Sequence, residues 1–398
     1  MSIFIAIVGL AFLILIHEAG HFCTAVWVGM RPRKFYLGFP PALAKVRRRG
    51  IEYGIGTIPL GGYVKIPGMH RPAPRDLDFR LQQAIKQAPE LLKPLEAVKR
   101  QLEAGDYEAA EAAVDELEAA LREAGQSTEV LTDVRDAFAP DAYWRQVVWK
   151  KVAVIFAGPG ANILFTIILF TILFMIGGGK ATSTIAEVLP KSPAARMGVQ
   201  AGDRIVRIDG ARVRTASDIP RAISSSGGRP VSLLVERGGS RVSLGPRRPM
   251  RTDGVYRLGF LLKGQGLDAW SATKESFRTT AFVSRDIVTS LGNLVHGQGR
   301  KDISSPVGIV QGSSAAAQQG VENYLWVLGL ISLSLALLNL LPLLPLDGGH
   351  IAFSLLEAIR GRAVAREVYE RVSAIGIALV LMLFFIGLTN DVGRLGGG

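Results

Sequence analysis

His17, Glu18 and His21 form an H-E-x-x-H pattern inside the apolar run FIAIVGLAFLILIHEAGHFCTAVWVGM. On a helix this spacing puts both imidazoles one turn apart on one face, where they can ligate one zinc ion. The glutamate then stands beside the metal as a general base for a water molecule. Ionisable side chains within a spanning helix are costly and mark functional sites, so the location strengthens the reading. A signal peptide accounts for these residues poorly. The segment lacks a charged start and a small-residue cleavage site, and it stays apolar through Met30. Cys23, the single cysteine, excludes an internal disulfide. It lies about 200° round the helix from His21 and reads as a small packing residue.

A second chemical cluster closes the third apolar run, at NLLPLLPLDGGH, Asn339 to His350. Two prolines and two glycines break the helix there, and non-helical backbone at membrane depth must line a cavity or pack on protein. Asp347 is a natural third zinc ligand, leaving a fourth position for water. His350, three residues on, competes for that role, with Asp347 favoured as the deeper group. Between these clusters, FAGPGAN at residues 156–162 brings Gly and Pro into a second apolar run. Small residues there permit close helix approach, and Asn162 needs a hydrogen-bond partner from a neighbouring helix or a substrate backbone.

These residues need elements to hold them. The 398-residue chain has a positive mean hydropathy and four apolar runs long enough to span a bilayer. They place transmembrane helices at residues 1–30, 152–177, 323–350 and 372–390. The net charge of +12 invites a nucleic-acid reading. Much of that charge, such as Arg31, Arg33 and Lys34 or Lys150 and Lys151, instead flanks spans, where Lys and Arg mark the cytoplasmic side. No nucleic-acid partner is expected. The lipid bilayer is the expected surroundings, and the region between the second and third spans is expected on the extracytoplasmic side.

Residues 31–71 alternate and are rich in Gly, Ile, Val and Tyr. Residues 53–58 and 63–66, separated by Pro59-Leu60-Gly61-Gly62, read as a membrane-associated β-hairpin whose free edge could hold an extended peptide. Residues 72–140 turn acidic and Ala/Leu-rich, and read as a charged helical insertion with two amphipathic helices joined at Gly105-Asp106. Residues 182–262 combine strand, turn and helix signals with a Gly238-Gly239 hairpin turn. The run from Ser192 to Gly210, S-P-A-A-x-x-G-V-x-x-G-D-x-I-x-x-I-D-G, resembles a PDZ domain of the bacterial protease type, a module that binds peptides by strand addition. A linker with an amphipathic segment covers 263–322. The expected fold is a polytopic α-helical membrane protein with a β-hairpin, a cytoplasmic helical insertion and an extracytoplasmic α+β PDZ-like domain.

Taken together, HEAGH at 17–21, FAGPGAN at 156–162, NLLPLLPLDGG at 339–349, the hairpin ending GGYVKIPGM and the PDZ-like segment resemble the site-2 protease family of intramembrane zinc metalloproteases. The resemblance implies Zn2+ held by His17, His21 and Asp347, with Glu18 as the catalytic base. It implies Asn339 and Asn162 near bound substrate. It also implies a hairpin element, with Tyr53, Gly61, Gly62, Tyr63, Val64, Lys65 and Ile66, that aligns the substrate strand. Implied substrates are single-span membrane proteins such as anti-sigma factors or cleaved signal peptides, cut in regulated intramembrane proteolysis. The implied location is the inner (plasma) membrane. One departure is Leu344, where the family usually has a second proline; here the proline is Pro345, and the Asn339 to Asp347 spacing is kept. The insertion at 72–140 has no family role to carry over.

Two rival readings remain open on the residues. A catalytically inactive scaffold would lack a ligand or the base, and none is missing. A transporter using these groups as an ion path would show paired internal repeats, and none is seen.

Overall fold

The computed structural model describes residues 1–252, 254–300 and 303–396. In chain order the elements are α1 (Ser2–Trp27), β1 (Lys34–Arg48), β2 (Ile51–Lys65), α2 (Pro74–Gln87), α3 (Leu92–Ala104), α4 (Tyr107–Glu123), α5 (Thr132–Phe138) and α6 (Val148–Leu173). There follow β3 (Lys180–Val188), α7 (Pro193–Arg196), β4 (Arg204–Ile208), β5 (Ala211–Arg212), α8 (Asp218–Ser225), β6 (Val231–Arg237), β7 (Ser240–Arg247), β8 (Met250–Thr252), β9 (Val255–Arg257) and β10 (Phe260–Gln265). The chain closes with α9 (Ala269–Val295), α10 (Pro306–Gln319), α11 (Val321–Asn339), α12 (Asp347–Arg360) and α13 (Arg366–Gly396). Among the described residues, four helices are long and apolar enough to cross a membrane: Ser2–Trp27, Val148–Gly178, Val321–Asn339 and Arg366–Arg394.

Two compact units divide the chain. The first comprises residues 1–164, 287–312 and 332–398. Its α1 buries Ala6, Gly9, Leu13, His17, His21 and Ala25, a single face at three- and four-residue spacing, so the histidine pair continues the packing stripe. Cys23, expected to pack, is instead exposed.

The β-element differs from the expected hairpin in where it turns. The reversal falls at Arg49-Gly50, whose φ values of 51° and 82° suit the tight turn that matches strand twist. Strand β2 then runs without interruption through Pro59-Leu60-Gly61-Gly62, which sequence reading had assigned to a turn. Residues 34–37 lie between two stretches of β2: Phe35 is opposite both Tyr53 and Val64, and Tyr36 is opposite both Gly54 and Tyr63. The outer edge of residues 62–65 has no strand partner among the described residues.

In the insertion, α3 and α4 join at Gly105-Asp106 as expected. Gly105 takes φ 74° and Asp106 caps α4 by accepting the Ala109 N–H at 3.0 Å. The insertion carries two further helices, α2 and α5. Leu77, Leu81, Leu95, Val98, Leu117, Leu121, Leu131 and Phe138 form its core. Fixed cations on the sheet meet its acidic face. Lys65 pairs with Asp133, and with Asp136 at 2.8 Å, while Arg33 pairs with Asp136 at 2.8 Å and Asp141 at 3.0 Å.

The third apolar helix stops at Asn339, earlier than the expected 323–350 span, because Pro342 and Pro345 cannot continue it. After a non-helical stretch, α12 opens at Asp347. The aspartate therefore heads a separate helix. Gly348 and Gly349 let that helix close onto the stretch before it: a Cβ on Gly348 would stand 2.2 Å from the Leu340 carbonyl oxygen. Gly376 of α13 packs against the Leu344 carbonyl with no room for a side chain.

The second unit comprises residues 165–286 and 313–331. Its sheet runs β10-β3-β4-β6-β7, with β5 on β4. Alternate residues Val231, Leu233 and Val235 of β6 face a core with Ile185, Ile205, Ile219 and Leu244. The Gly238-Gly239 turn falls where expected, between β6 and β7. In the G-V-x-x-G-D segment, Gly198 and Gly202 take φ 78° and 92°, and buried Asp203 accepts two Arg237 donors at 2.7 Å. Those Arg237 bonds hold the Asp203 carboxyl below the usual range, against a smaller upward push from burial. A separate cluster packs Phe170 and Phe174 with Trp326, whose ring stacks on Phe170 at 4.9 Å.

Candidate metal centre

Helix α1 presents His17 and His21 from adjacent turns, and the first residue of α12 presents Asp347. His17 Nε2 and His21 Nε2 are 3.3 Å apart. Asp347 Oδ2 lies 3.2 Å from the first and 3.4 Å from the second. Both histidines are buried. Three lone-pair-bearing atoms thus form a near-equilateral triangle. A tetrahedral ion with ligand bonds of about 2.0–2.1 Å has ligand–ligand edges of about 3.3–3.4 Å, so the triangle matches zinc. Among the described residues, Asp347 Oδ2 is buried with only the two imidazole nitrogens facing it, so with neutral histidines presenting their lone pairs the cluster favours a cation.

The surroundings aim the ligands. His21 Nδ1 is 2.8 Å from the Val154 carbonyl of α6, so Nδ1–H donates there and Nε2 keeps its lone pair for the metal. Gly158, one helical turn further on, lies flat against the same imidazole; a Cβ there would be 2.2 Å from Nε2. Gly20 meets Ala157 as closely, with a Cβ falling 2.3 Å from its carbonyl oxygen. Gly158 of FAGPGAN is thus explained by direct contact between α6 and the H-E-x-x-H turn.

Glu18 follows His17 and lies within electrostatic range of His17, His21 and Asp347. Gly62 of β2 packs on its side chain: a Cβ at Gly62 would sit 2.2 Å from Glu18 Cγ and 2.9 Å from Oε1. The β-element therefore reaches the base itself. Its other expected contacts have side chains directed elsewhere. Gly61 faces the Phe39 ring, and Tyr53 and Phe35 pack on Phe22 of α1. Val64 and Ile66 join a core with Ala25, Val28, Met30, Tyr143, Val154 and Ile155. Lys65 is held by Asp133 and Asp136. Tyr63 is paired with Tyr36 across the sheet.

Asn162 is fully buried, and its carbonyl accepts the Ser332 hydroxyl at 2.9 Å. Asn339 Nδ2 donates to the Leu335 carbonyl within α11. His350, the competing ligand, is not in the converging group; its ring lies 6.4 Å from His70 and 6.5 Å from Tyr369. Sequence reading missed Val154 and Gly158. Val154 acts through its backbone, which carries no residue signal, while Gly158 was visible as a small residue without a stated contact.

Comparison with known proteins identifies the family. The model for peptidase family M50 matches residues 5–383. Protein Atu1380 of Agrobacterium fabrum is 31% identical over 407 residues, covering 98% of this chain and 94% of its own. The zinc metalloprotease RasP of Geobacillus kaustophilus is 27% identical over 413 residues, covering 98% and 97%. Protein Cj1068 of Campylobacter jejuni is 28% identical over 98% of this chain and 92% of its own. With most of its length matched, from the first helix into the last one, the chain belongs to peptidase family M50.

Proposed function

We propose that this metalloprotease hydrolyses peptide bonds within the transmembrane segments of single-span proteins, with His17, His21 and Asp347 holding zinc and Glu18 as base. The observation that carries the reading is the 3.2–3.4 Å triangle of Nε2, Nε2 and Oδ2 atoms, two of them on an apolar helix able to span a bilayer. Zinc, when bound, supplies Lewis-acid activation of water and of the scissile carbonyl. Glu18 accepts the proton of the attacking water and returns it to the leaving nitrogen. Val154 fixes the His21 tautomer, and Gly158 and Gly62 leave room for the ligand and the base.

A helical substrate has its backbone groups already paired, so it must unwind before attack. The unpaired edge of residues 62–65, beside Glu18, offers replacement hydrogen bonds to an extended segment. Through their backbones Gly61, Gly62, Tyr63, Val64, Lys65 and Ile66 then align the substrate. Tyr53 supports the sheet on α1, and Asn162 and Asn339 border the substrate. The β-rich domain at 182–262 serves as a PDZ-like filter on the extracytoplasmic side of the inner membrane. It favours substrates whose outer part has already been trimmed.

Co-expression with single-span proteins tests the reading. Wild type should yield fragments cut within the span, and Glu18→Gln should reduce the rate by about 10²–10⁴-fold. Equal cleavage by both would overturn it.

A further inference from the structure

A cavity of about 310 Å³ opens beside the first turn of α6, with Arg71, Tyr143, Trp144, Lys151, Glu357 and Tyr369 in its lining. None of the metal ligands lines it. Lys151 is 8% exposed. Among the described residues its ammonium makes no hydrogen bond and no ion pair; its one aromatic contact is the Tyr143 ring, 5.7 Å away. The side chain is enclosed, only Glu357 among the described residues acts on its ammonium as an opposing charge, and no anion is bonded to it, so its donors are left for a ligand with acceptor oxygens.

The remaining lining has the same sign. Arg71, exposed at the cavity, is stacked over Trp144 at 5.3 Å and Tyr107 at 6.0 Å, with no carboxylate partner among the described residues. Arg366 also lines the cavity and is paired with Asp76 and Glu370. Glu357 is the opposing carboxylate, and its Oε1 accepts the Val364 N–H at 3.0 Å. Tyr143 and Tyr369 add hydroxyls. Two cations without a bonded carboxylate, against one carboxylate in the lining, plus hydroxyl donors suit a group with several acceptor oxygens. The cavity's place beside the start of an apolar helix suits a lipid as well. Exposed Trp149 on the first turn of α6 and exposed Trp27 at the end of α1 are the residues that anchor at headgroup level.

We propose that this cavity binds a phosphate group through Lys151 and Arg71, carried by an anionic phospholipid headgroup or present as free phosphate. The site is independent of the zinc centre, so the test needs no activity readout. Native mass spectrometry of the full-length protein in detergent would compare short-chain phosphatidylglycerol, the matched diacylglycerol lacking phosphate, and inorganic phosphate. Phosphatidylglycerol should bind at least about tenfold more tightly than diacylglycerol, the scale of one charge-assisted hydrogen bond. Lys151→Gln should abolish that preference, and Arg71→Gln should reduce it severalfold. Lys151→Arg and the exposed control Lys93→Gln should keep it. Competition by inorganic phosphate would assign the site to the free anion, and failure to compete would assign it to the headgroup. Should Lys151→Gln unfold, as its melting temperature would reveal, Arg71→Gln on the exposed rim carries the test. Absence of any phosphate-dependent binding in wild type, or an unchanged preference in Arg71→Gln and in folded Lys151→Gln, would overturn the proposal.

Discussion

Gly62 lies directly against the side chain of Glu18, close enough that a single methyl at Gly62 would overlap Cγ and crowd Oε1. One contact thus joins the proposed general base on α1 to the strand whose free edge is proposed to receive substrate. The base and the edge cannot move independently. Gly62→Ala must therefore displace Glu18 while leaving the three ligand atoms untouched. The variant should bind zinc normally and lose about 10²-fold or more in cleavage rate, the lower range for removing a general base. Metal analysis alongside a cleavage assay checks this; loss of zinc together with activity would mean the glycine supports the fold and not the base.

Gly158 stands in the same relation to His21, with a Cβ overlapping Nε2. Gly158→Ala should push the imidazole off the line set by the Val154 carbonyl. Zinc affinity should then fall by about 10–100-fold, the range for losing an outer-shell partner. Competition with a fluorescent chelator would measure it. An unchanged affinity would show that the ring can shift without cost.

The insertion is held to the sheet by ion pairs of Lys65 and Arg33 with Asp133, Asp136 and Asp141. Burial pushes the Asp133 carboxyl up, but Lys65 and Arg80 outweigh it and hold the group below its usual value. Burial likewise opposes Arg33 and the Arg31 N–H at Asp141, and again the net direction is down. Depressed carboxylates stabilise above the unfolded value of about 3.9 and lose that contribution as pH falls through their lower folded values. Docking of the insertion should therefore hold at neutral pH and weaken only below about pH 4. Trp144 reports on it, since its indole N–H donates to the Ala137 carbonyl at 2.7 Å. Emission of a variant retaining Trp144 alone should shift in that window, and a midpoint above about pH 5 would contradict the assignment. Lys65→Met should destabilise by about 1–2 kcal/mol, given partners that are only partly buried.

Residues 182–262 can be removed with little distortion, because Lys180 and Gln265 are already opposite each other at the two ends of the domain. A deletion closed by a short Gly/Ser linker should keep zinc and keep cleavage of pre-trimmed substrates. Cleavage of untrimmed substrates should rise. If the deletion leaves the preference for trimmed substrates intact, the domain is not the filter.

The chemistry of this chain was legible because it is written in residue types. Histidine, glutamate and aspartate in apolar runs have few structural explanations, so His17, His21 and Asp347 stood out as candidate ligands, with His350 left as a competitor by the residues alone. What the sequence obscured was backbone geometry. Gly61-Gly62 is a stronger turn signal than Arg49-Gly50, yet the chain reverses at the latter. The first pair serves close packing, with Gly61 against Phe39 and Gly62 against Glu18. The end of α11 at Asn339 was blurred by the apolar leucines that follow, which continue the hydropathy after the helix has stopped. Val154 orients His21 through a carbonyl that any residue would supply. The docking of the insertion was hidden because Asp133, Asp136 and Asp141 look like an ordinary solvated acidic face until Lys65 and Arg33 are brought opposite them.

Zinc content of three purified proteins tests the centre most directly. Wild type and Glu18→Gln should each hold one zinc per chain, and Asp347→Ala should retain little after dialysis against a mild chelator. A full equivalent of zinc in Asp347→Ala, or none in wild type purified without chelator, would contradict the assignment of His17, His21 and Asp347 as the ligands.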